Sequence, residues 1–361
     1  MGATAMNQEM TMMDYINLQP ETMQEIFDKR ADHLKAFLEL YAQVQPDHVY
    51  IIASGSSYNA SCAASVYMRR ALKVDVTVHC PSQVPAIYAA RPLVLAVSQG
   101  GESTNTIAAI KQLAGVPLVA VTGKDECTIN TMCDRRLPIG CRVETVGPKT
   151  MGYTATIYTF SLLALEAARL TGKMDDAAYQ HDLALFAAVP QQCRENIART
   201  AEFTRAHLDD FCIMKKLAFV GKGVGAEMAK EGALKVLETL LVPAIHYEYE
   251  EYLHGPLCAI DGEMHGFYFL CEDGDKERML KVAQAHDSFA PNAYVVTGDA
   301  TVTGERVLNL VTSGDDATVP FEVILLPQFI SSEVPVKLGT VNKGMVQFRK
   351  FDDLVKMKAK R

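Results

Sequence analysis

Apolar and polar positions follow two different periods along this chain. Between Pro20 and about Gln43, residues Met23, Ile26, Phe27, Leu34, Phe37, Leu38 and Tyr41 recur three and four apart, which predicts one amphipathic helix with Pro20 in its first turn. Short unbroken apolar runs then take over. "HVYIIAS" (48–54), "VDVTVH", "LVLAVS" and "PLVAVT" read as strands, with helices predicted at 58–72 and from about Thr104 to Ala114 between them. Strands that are apolar throughout are buried on both faces, so the alternation predicts βαβ units and a parallel sheet covered by helices. A long apolar helix follows over Tyr153–Leu170, then the polar break "TGKMDD", then helical patterns to about Leu208.

After that the scheme restarts. "KLAFVG" (216–221), a glycine loop and a helix over 225–242 lead into "AIHYE", "HGFYFLC", "AYVVTG" and "VLNLVT". "VYIIASGSSYNAS" and "LAFVGKGVGAEMA" hold matching places, each a strand, a glycine turn and a helix start rich in small residues. The pattern predicts an α/β fold built as a tandem repeat, two parallel five-stranded flavodoxin-like sheets flanked by helices. The expected organisation is a helical segment over 1–45, a first unit over 46–190, and a second over 191–361 that ends in a helical tail. The halves are expected to meet near residues 175–205.

Composition narrows the function. A length of 361 residues and 49% hydrophobic content allow two domains with a sizeable core. The net charge is −8 and no basic cluster stands out, which argues against nucleic-acid and membrane partners. The closing "KMKAKR" is short and reads as a solvated tail, and the longest apolar stretches are expected to fall short of a membrane span. Nine cysteines, none in a C-x-x-C pair, suit reduced thiols in the cytoplasm.

Two loops carry the candidate chemistry. "SGSSYNAS" follows the first strand and "SQGGES" (98–103) the third; in a sheet of order 2-1-3-4-5 the chain diverges between those strands, and ligands bind in the crevice at their carboxyl ends. Each loop opens a helix, whose free N–H groups and positive end suit a phosphate. Gly55, Gly100 and Gly101 let the backbone approach a ligand, and Ser56, Ser57, Ser98, Gln99 and Ser103 offer side-chain donors. The plain alternative is that Ser56 and Ser103 cap helices, since serine is a favoured N-cap. A nucleotide site fits less well: "GKGVG" (221–225) is not G-x-G-x-x-G, and no P-loop occurs.

These motifs resemble a known family. "GSSY" and "SQGGES" are similar to the two serine loops of the sugar isomerase (SIS) domain, while "EGALKVLE" (231–238) and "HGPL" (254–257) look like motifs in the second unit of the isomerase part of glucosamine-6-phosphate synthase. The resemblance covers most of residues 20–340. It implies that Ser56, Ser57, Ser98, Gln99 and Ser103 hold a sugar's 6-phosphate, with one hydroxyl missing because Gly100 replaces a serine. It implies Glu238 as the group moving a proton between C1 and C2, Lys235 near the substrate, and His254 aiding ring opening or proton delivery from a neighbouring subunit. A homodimer or higher homo-oligomer would then be the active unit.

The residues alone leave other readings of that helix. Glu231, Lys235 and Glu238 lie at i, i+4 and i+7, which suits a solvated face with one ion pair. Glu238 nevertheless stands among Val236, Leu237, Leu240 and Leu241, where a desolvated carboxylate would have a raised pKa. His254 before Gly-Pro is as compatible with a structural role.

The chain departs from the family in three places. It shows no glutaminase domain with an N-terminal cysteine. The family's "STKAFTTQ" appears as "KTMGYTAT" (149–156), keeping Thr150 and Thr154 but placing Lys149 and Met151 where serine and lysine stand. The synthase's tail with its sugar-binding lysine is not recognisable, Lys343 being the candidate substitute. The resemblance therefore points to deglycases of phosphorylated Amadori compounds, working without metal or redox cofactor, with Lys149 a candidate partner for a substrate carboxylate. A glucosamine-6-phosphate deaminase or isomerase is the nearest alternative, and a sugar-phosphate sensor is one of another class.

Overall fold

The computed structural model describes residues 10–113, 115–270 and 275–359. The opening nine residues, the expected helix end at Ala114, Cys271 of the "HGFYFLC" run and the last two residues of the basic tail lie outside them.

Two sheets repeat one topology. β1 (His48–Ile52), β2 (Asp75–His79), β3 (Pro92–Val97), β4 (Leu118–Thr122) and β5 (Arg135–Pro138) lie in the order β2-β1-β3-β4-β5. β6 (Lys216–Gly221), β7 (Ala244–Glu248), β8 (Met264–Leu270), β9 (Ala293–Thr297) and β10 (Val307–Asn309) lie in the order β7-β6-β8-β9-β10, the same sequence of second, first, third, fourth and fifth. Every pairing is parallel. The expected switch points thus fall between β1 and β3 and between β6 and β8.

Side-chain alternation along the strands sorts residues into separate cores. Val49, Ile51, Leu93, Leu95 and Val97 face one large core, and Leu217, Phe219, Phe267 and Phe269 of the second sheet face the same one. Tyr50, Ile52, Val94 and Ala96 turn to a smaller core behind sheet one; Ala218, Val220, Tyr268 and Leu270 turn to another behind sheet two. The two units therefore share their main core. Helix Met151–Leu170 runs through it with Met151 to Leu165 all buried, as a helix apolar on every side must be.

Two expectations change. The single helix predicted over Pro20–Gln43 is broken at Lys29 into Gln19–Asp28 and Arg30–Val44. The expected fifth strand of the first sheet is β5, which no apolar run announces: its four residues "RRLP" form an edge strand. Val319–Leu338 does have the length and mean hydropathy (1.2) to cross a membrane, against the expectation for this chain. It is 89% buried, interrupted at Ile324, and packs in the shared core.

Candidate active site

Both hydroxyl loops sit at the β1/β3 switch point. Gly55 caps helix Ser56–Leu72 with φ 59° and ψ −137°, a conformation glycine adopts without strain, and a Cβ there would meet only open space. Ser56 is thus the first helical residue rather than the cap. Ser103 is the N-cap of helix Thr104–Gln112, but its hydroxyl makes no capping bond; it lies 3.1 Å from the Ser98 hydroxyl. Neither serine is explained by capping. Asn105 ties the loops together by donating to Ser54 Oγ at 2.8 Å. Gly101 (φ 66°) is held where a Cβ would strike Cys127 Sγ at 2.1 Å, whereas Gly100 faces open space. Ser57 is half-buried, and its carbonyl accepts from Ser61 Oγ at 2.7 Å.

Gln99 is set from behind. A Cβ on Gly152 would come within 1.7 Å of Gln99 Nε2, so the glycine in the altered "KTMGYTAT" segment makes room for that side chain. Thr150 and the N-terminus of helix Met151–Leu170 are already occupied. Thr150 is fully buried, and Glu144 Oε1 accepts from its N–H (3.0 Å), its hydroxyl (3.1 Å) and the N–H of Met151 (2.9 Å). Glu144 is a carboxylate sealing a helix start, so this terminus is not an anion site. Lys149 Nζ donates to the carbonyls of Glu144 (2.8 Å) and Val146 (2.6 Å). Burial pulls its pKa below the usual lysine value, and Lys235 and Lys358 add to the fall while Glu144 and Glu238 oppose it.

The acid–base array stands on helix Val224–Leu240, but the expected roles of its carboxylates are redistributed. Glu231, not Glu238, is the desolvated one. Glu231 is 0% exposed and accepts from Asn59 Nδ2 of the first unit at 2.8 Å, while Lys235 Nζ stands 3.4 Å from its other oxygen. Burial raises the Glu231 pKa against the pull of Lys235, Asn59 and Ser56. Lys235 is buried too; burial disfavours its charge, but Glu231 and Glu238 outweigh it and raise its pKa. The Lys235 ammonium also donates to Glu238, whose side chain is 34% exposed. Of the four apolar neighbours expected to desolvate Glu238, Val236 is buried and Leu240 half-buried, but Leu237 and Leu241 are themselves 47% and 41% exposed. The result is a line from buried carboxylate to buried ammonium to accessible carboxylate, and only the last can meet a ligand.

The tail supplies a residue that sequence reading missed. Lys343 is exposed, and its side chain takes no part in the cradle. Lys358 does: it forms an isolated antiparallel bridge with Ser103, and its Nζ donates to Ser103 Oγ at 3.1 Å. The tail expected to be solvated is therefore docked on the "SQGGES" loop. His254 stays apart. It follows helix Tyr249–Leu253, whose Tyr249 and Tyr252 pack behind sheet two, whereas helix Val224–Leu240 packs on the opposite face of that sheet. His254 is exposed, and its side chain makes no hydrogen bond or ion pair among the described residues. Within one chain the structure brings together Ser56, Ser98, Gln99, Ser103, Lys149, Lys235 and Glu238, but not His254.

Such an arrangement can hold an anion on hydroxyls and lysines and move a proton with Glu238. Known proteins resemble the chain in sequence and fold. Residues 44–166 match the SIS domain. Over 264 residues the chain is 26% identical to the isomerizing glutamine–fructose-6-phosphate aminotransferase of Gloeobacter violaceus, covering 70% of this chain and 43% of that protein. The chain thus spans less than half the length of the curated relatives it matches. A provisionally named phosphosugar isomerase from Clostridium difficile 630 superposes with a TM-score of 0.84 at 25% identity, covering 91% of this chain and 94% of its own. The C-terminal domain of glucosamine-fructose-6-phosphate aminotransferase from Francisella tularensis gives a TM-score of 0.83 at 20% identity, covering 93% and 98%. The first unit thus carries a match to the SIS domain, and the second repeats its sheet order.

Proposed function

We propose that the chain is a sugar-phosphate enzyme of isomerase type, and that its reaction is the cleavage of a phosphorylated Amadori compound. One observation carries the reading: a buried Lys235 holds the accessible Glu238 on a helix tied through Glu231 to Asn59 of the first hydroxyl loop's helix, while Ser98, Ser103 and Lys358 form a row on the second loop. A phosphate dianion suits that row. Glu238 then removes a proton from C1 of a 1-amino-1-deoxyfructose 6-phosphate. The C1–H electron pair forms the C1–C2 double bond, the C2 carbonyl oxygen gains a proton, and an enaminol results. Reprotonation at C2 gives the imine of the aldose, and one water molecule hydrolyses it to glucose 6-phosphate and the free amine. The steps balance with water as the sole co-reactant.

Lys235 orients Glu238 by its hydrogen bond, and Glu231 helps to keep Lys235 charged. Lys149 retains an N–H beyond its two carbonyl bonds, and this suits a carboxylate on an amino-acid leaving group. His254 serves the site of a second copy in a homodimer. Its exposure supports that, as do the exposed Phe351, Leu354 and Val355 on helix Met345–Val355. A cytoplasmic setting agrees with the eight free cysteines among the described residues.

The test is release of glucose 6-phosphate from phosphorylated fructosamines, run beside glucosamine 6-phosphate and with Glu238→Gln as control. Turnover of a fructosamine conjugate, lost in the variant, supports the deglycase. Ammonia release from glucosamine 6-phosphate alone replaces it with a deaminase. Binding without turnover of either replaces it with a sensor.

A further inference from the structure

We propose that Lys358 is a direct ligand of the substrate's phosphate, delivered to the cradle by the strap Lys356–Ala359. The proposal rests on the sugar-phosphate reading above and names a ligand that the serine loops do not include.

The strap is fixed by its backbone, independently of the lysine side chain. Thr104 N–H donates to the Met357 carbonyl at 3.1 Å, and Ala359 N–H donates to the Glu102 carbonyl at 2.8 Å. Thr104 Oγ1 donates to the carbonyls of Lys356 (3.0 Å) and Met357 (3.1 Å). The strap thus runs antiparallel to residues 102–104, and Lys358 stands opposite Ser103.

That register puts an ammonium, a hydroxyl and a second hydroxyl in one row: Lys358 Nζ is 3.1 Å from Ser103 Oγ, which is 3.1 Å from Ser98 Oγ. Each can turn a hydrogen outward to an acceptor with several oxygens. Gly100, beside the row, leaves space where a side chain would otherwise project. The carboxylate of Glu102 is turned to Thr128, accepting from its N–H at 2.8 Å and its hydroxyl at 2.7 Å. A bare row of hydroxyls offers dipoles only; a lysine at its end adds a full positive charge to set against the phosphate's negative charge.

The experiment is isothermal calorimetry on the full chain with glucitol 6-phosphate, glucitol and inorganic phosphate. Lys358→Met keeps the strap's backbone bonds and the aliphatic stem but removes the charge. It is expected to weaken glucitol 6-phosphate binding about tenfold, as loss of one charge-assisted bond would, and to weaken inorganic phosphate in parallel. Lys358→Arg is expected to restore most of the affinity. Affinity within about twofold of wild type in Lys358→Met, with Ser98→Ala weakened about tenfold, overturns the assignment of Lys358 and leaves the cradle standing. Failure of the unaltered chain to bind glucitol 6-phosphate or inorganic phosphate overturns the sugar-phosphate reading, and the Lys358 proposal with it.

Discussion

The two units repeat one backbone device to different ends. Gly55 (φ 59°, ψ −137°) and Gly223 (φ 55°, ψ −125°) turn the chain almost identically from the first strand of each unit into a 17-residue helix. The residues after each glycine differ. Ser56 and Ser57 are half-buried, whereas Val224 is buried in the shared core and Gly225 packs against Gly221. At the mouth of the second loop Lys222 pairs with Asp275, and Lys276 with Asp299. A helix N-terminus and a left-handed glycine therefore do not make an anion site by themselves; the first unit adds hydroxyls to them. The second unit contributes to chemistry elsewhere, through the Glu231–Lys235–Glu238 line on its helix. On the proposed reading, one unit holds the substrate and the other transfers protons.

That contrast can be broken by substitution. The largest effect is expected from Glu238→Gln, which should cut turnover by about 10²–10⁴, as loss of a general base does, with glucitol 6-phosphate still bound. Steady-state kinetics beside calorimetry would check it, and undiminished turnover would remove Glu238 from its role. Next comes Lys235→Met, which leaves Glu231 buried without its cation. It should cost about 3–5 kcal/mol of stability in urea unfolding.

A smaller effect is expected of Gly152→Ala, whose new methyl must displace Gln99. It should weaken glucitol 6-phosphate binding several-fold, while the double change with Gln99→Ala should regain the stability, though not the affinity. Lys222→Ala marks the other end of the scale. Its pair with Asp275 is one-third exposed or more on both sides, so stability should move by under about 1 kcal/mol and sugar-phosphate binding not at all. A large loss of binding there would mean that the second crevice is a ligand site after all.

Sheet order and the two hydroxyl loops are readable in the sequence because they rest on local signals: apolar runs, glycine turns and spacing. β5 is not, since an edge strand of four residues with two arginines has no apolar run to announce it. The burial of Glu238 is misread from sequence for a similar reason. Apolar neighbours in sequence desolvate a carboxylate only if they are themselves buried, and Leu237 and Leu241 are not. Glu144 and Lys358 lie further out of reach. Glu144 seals its helix from six residues before Thr150, outside capping-box spacing, and Lys358 meets Ser103 across 255 positions of chain. Tertiary contacts of that kind leave no periodic trace.

The bond from Asn59 to Glu231 spans the two units. It makes positions 59 and 231 a single unit of selection. A change that removes the amide strands a buried carboxylate, and a change that removes the carboxylate strands the amide together with Lys235. Among relatives the two positions should therefore co-vary, drifting as a pair or not at all, although 172 residues separate them along the chain.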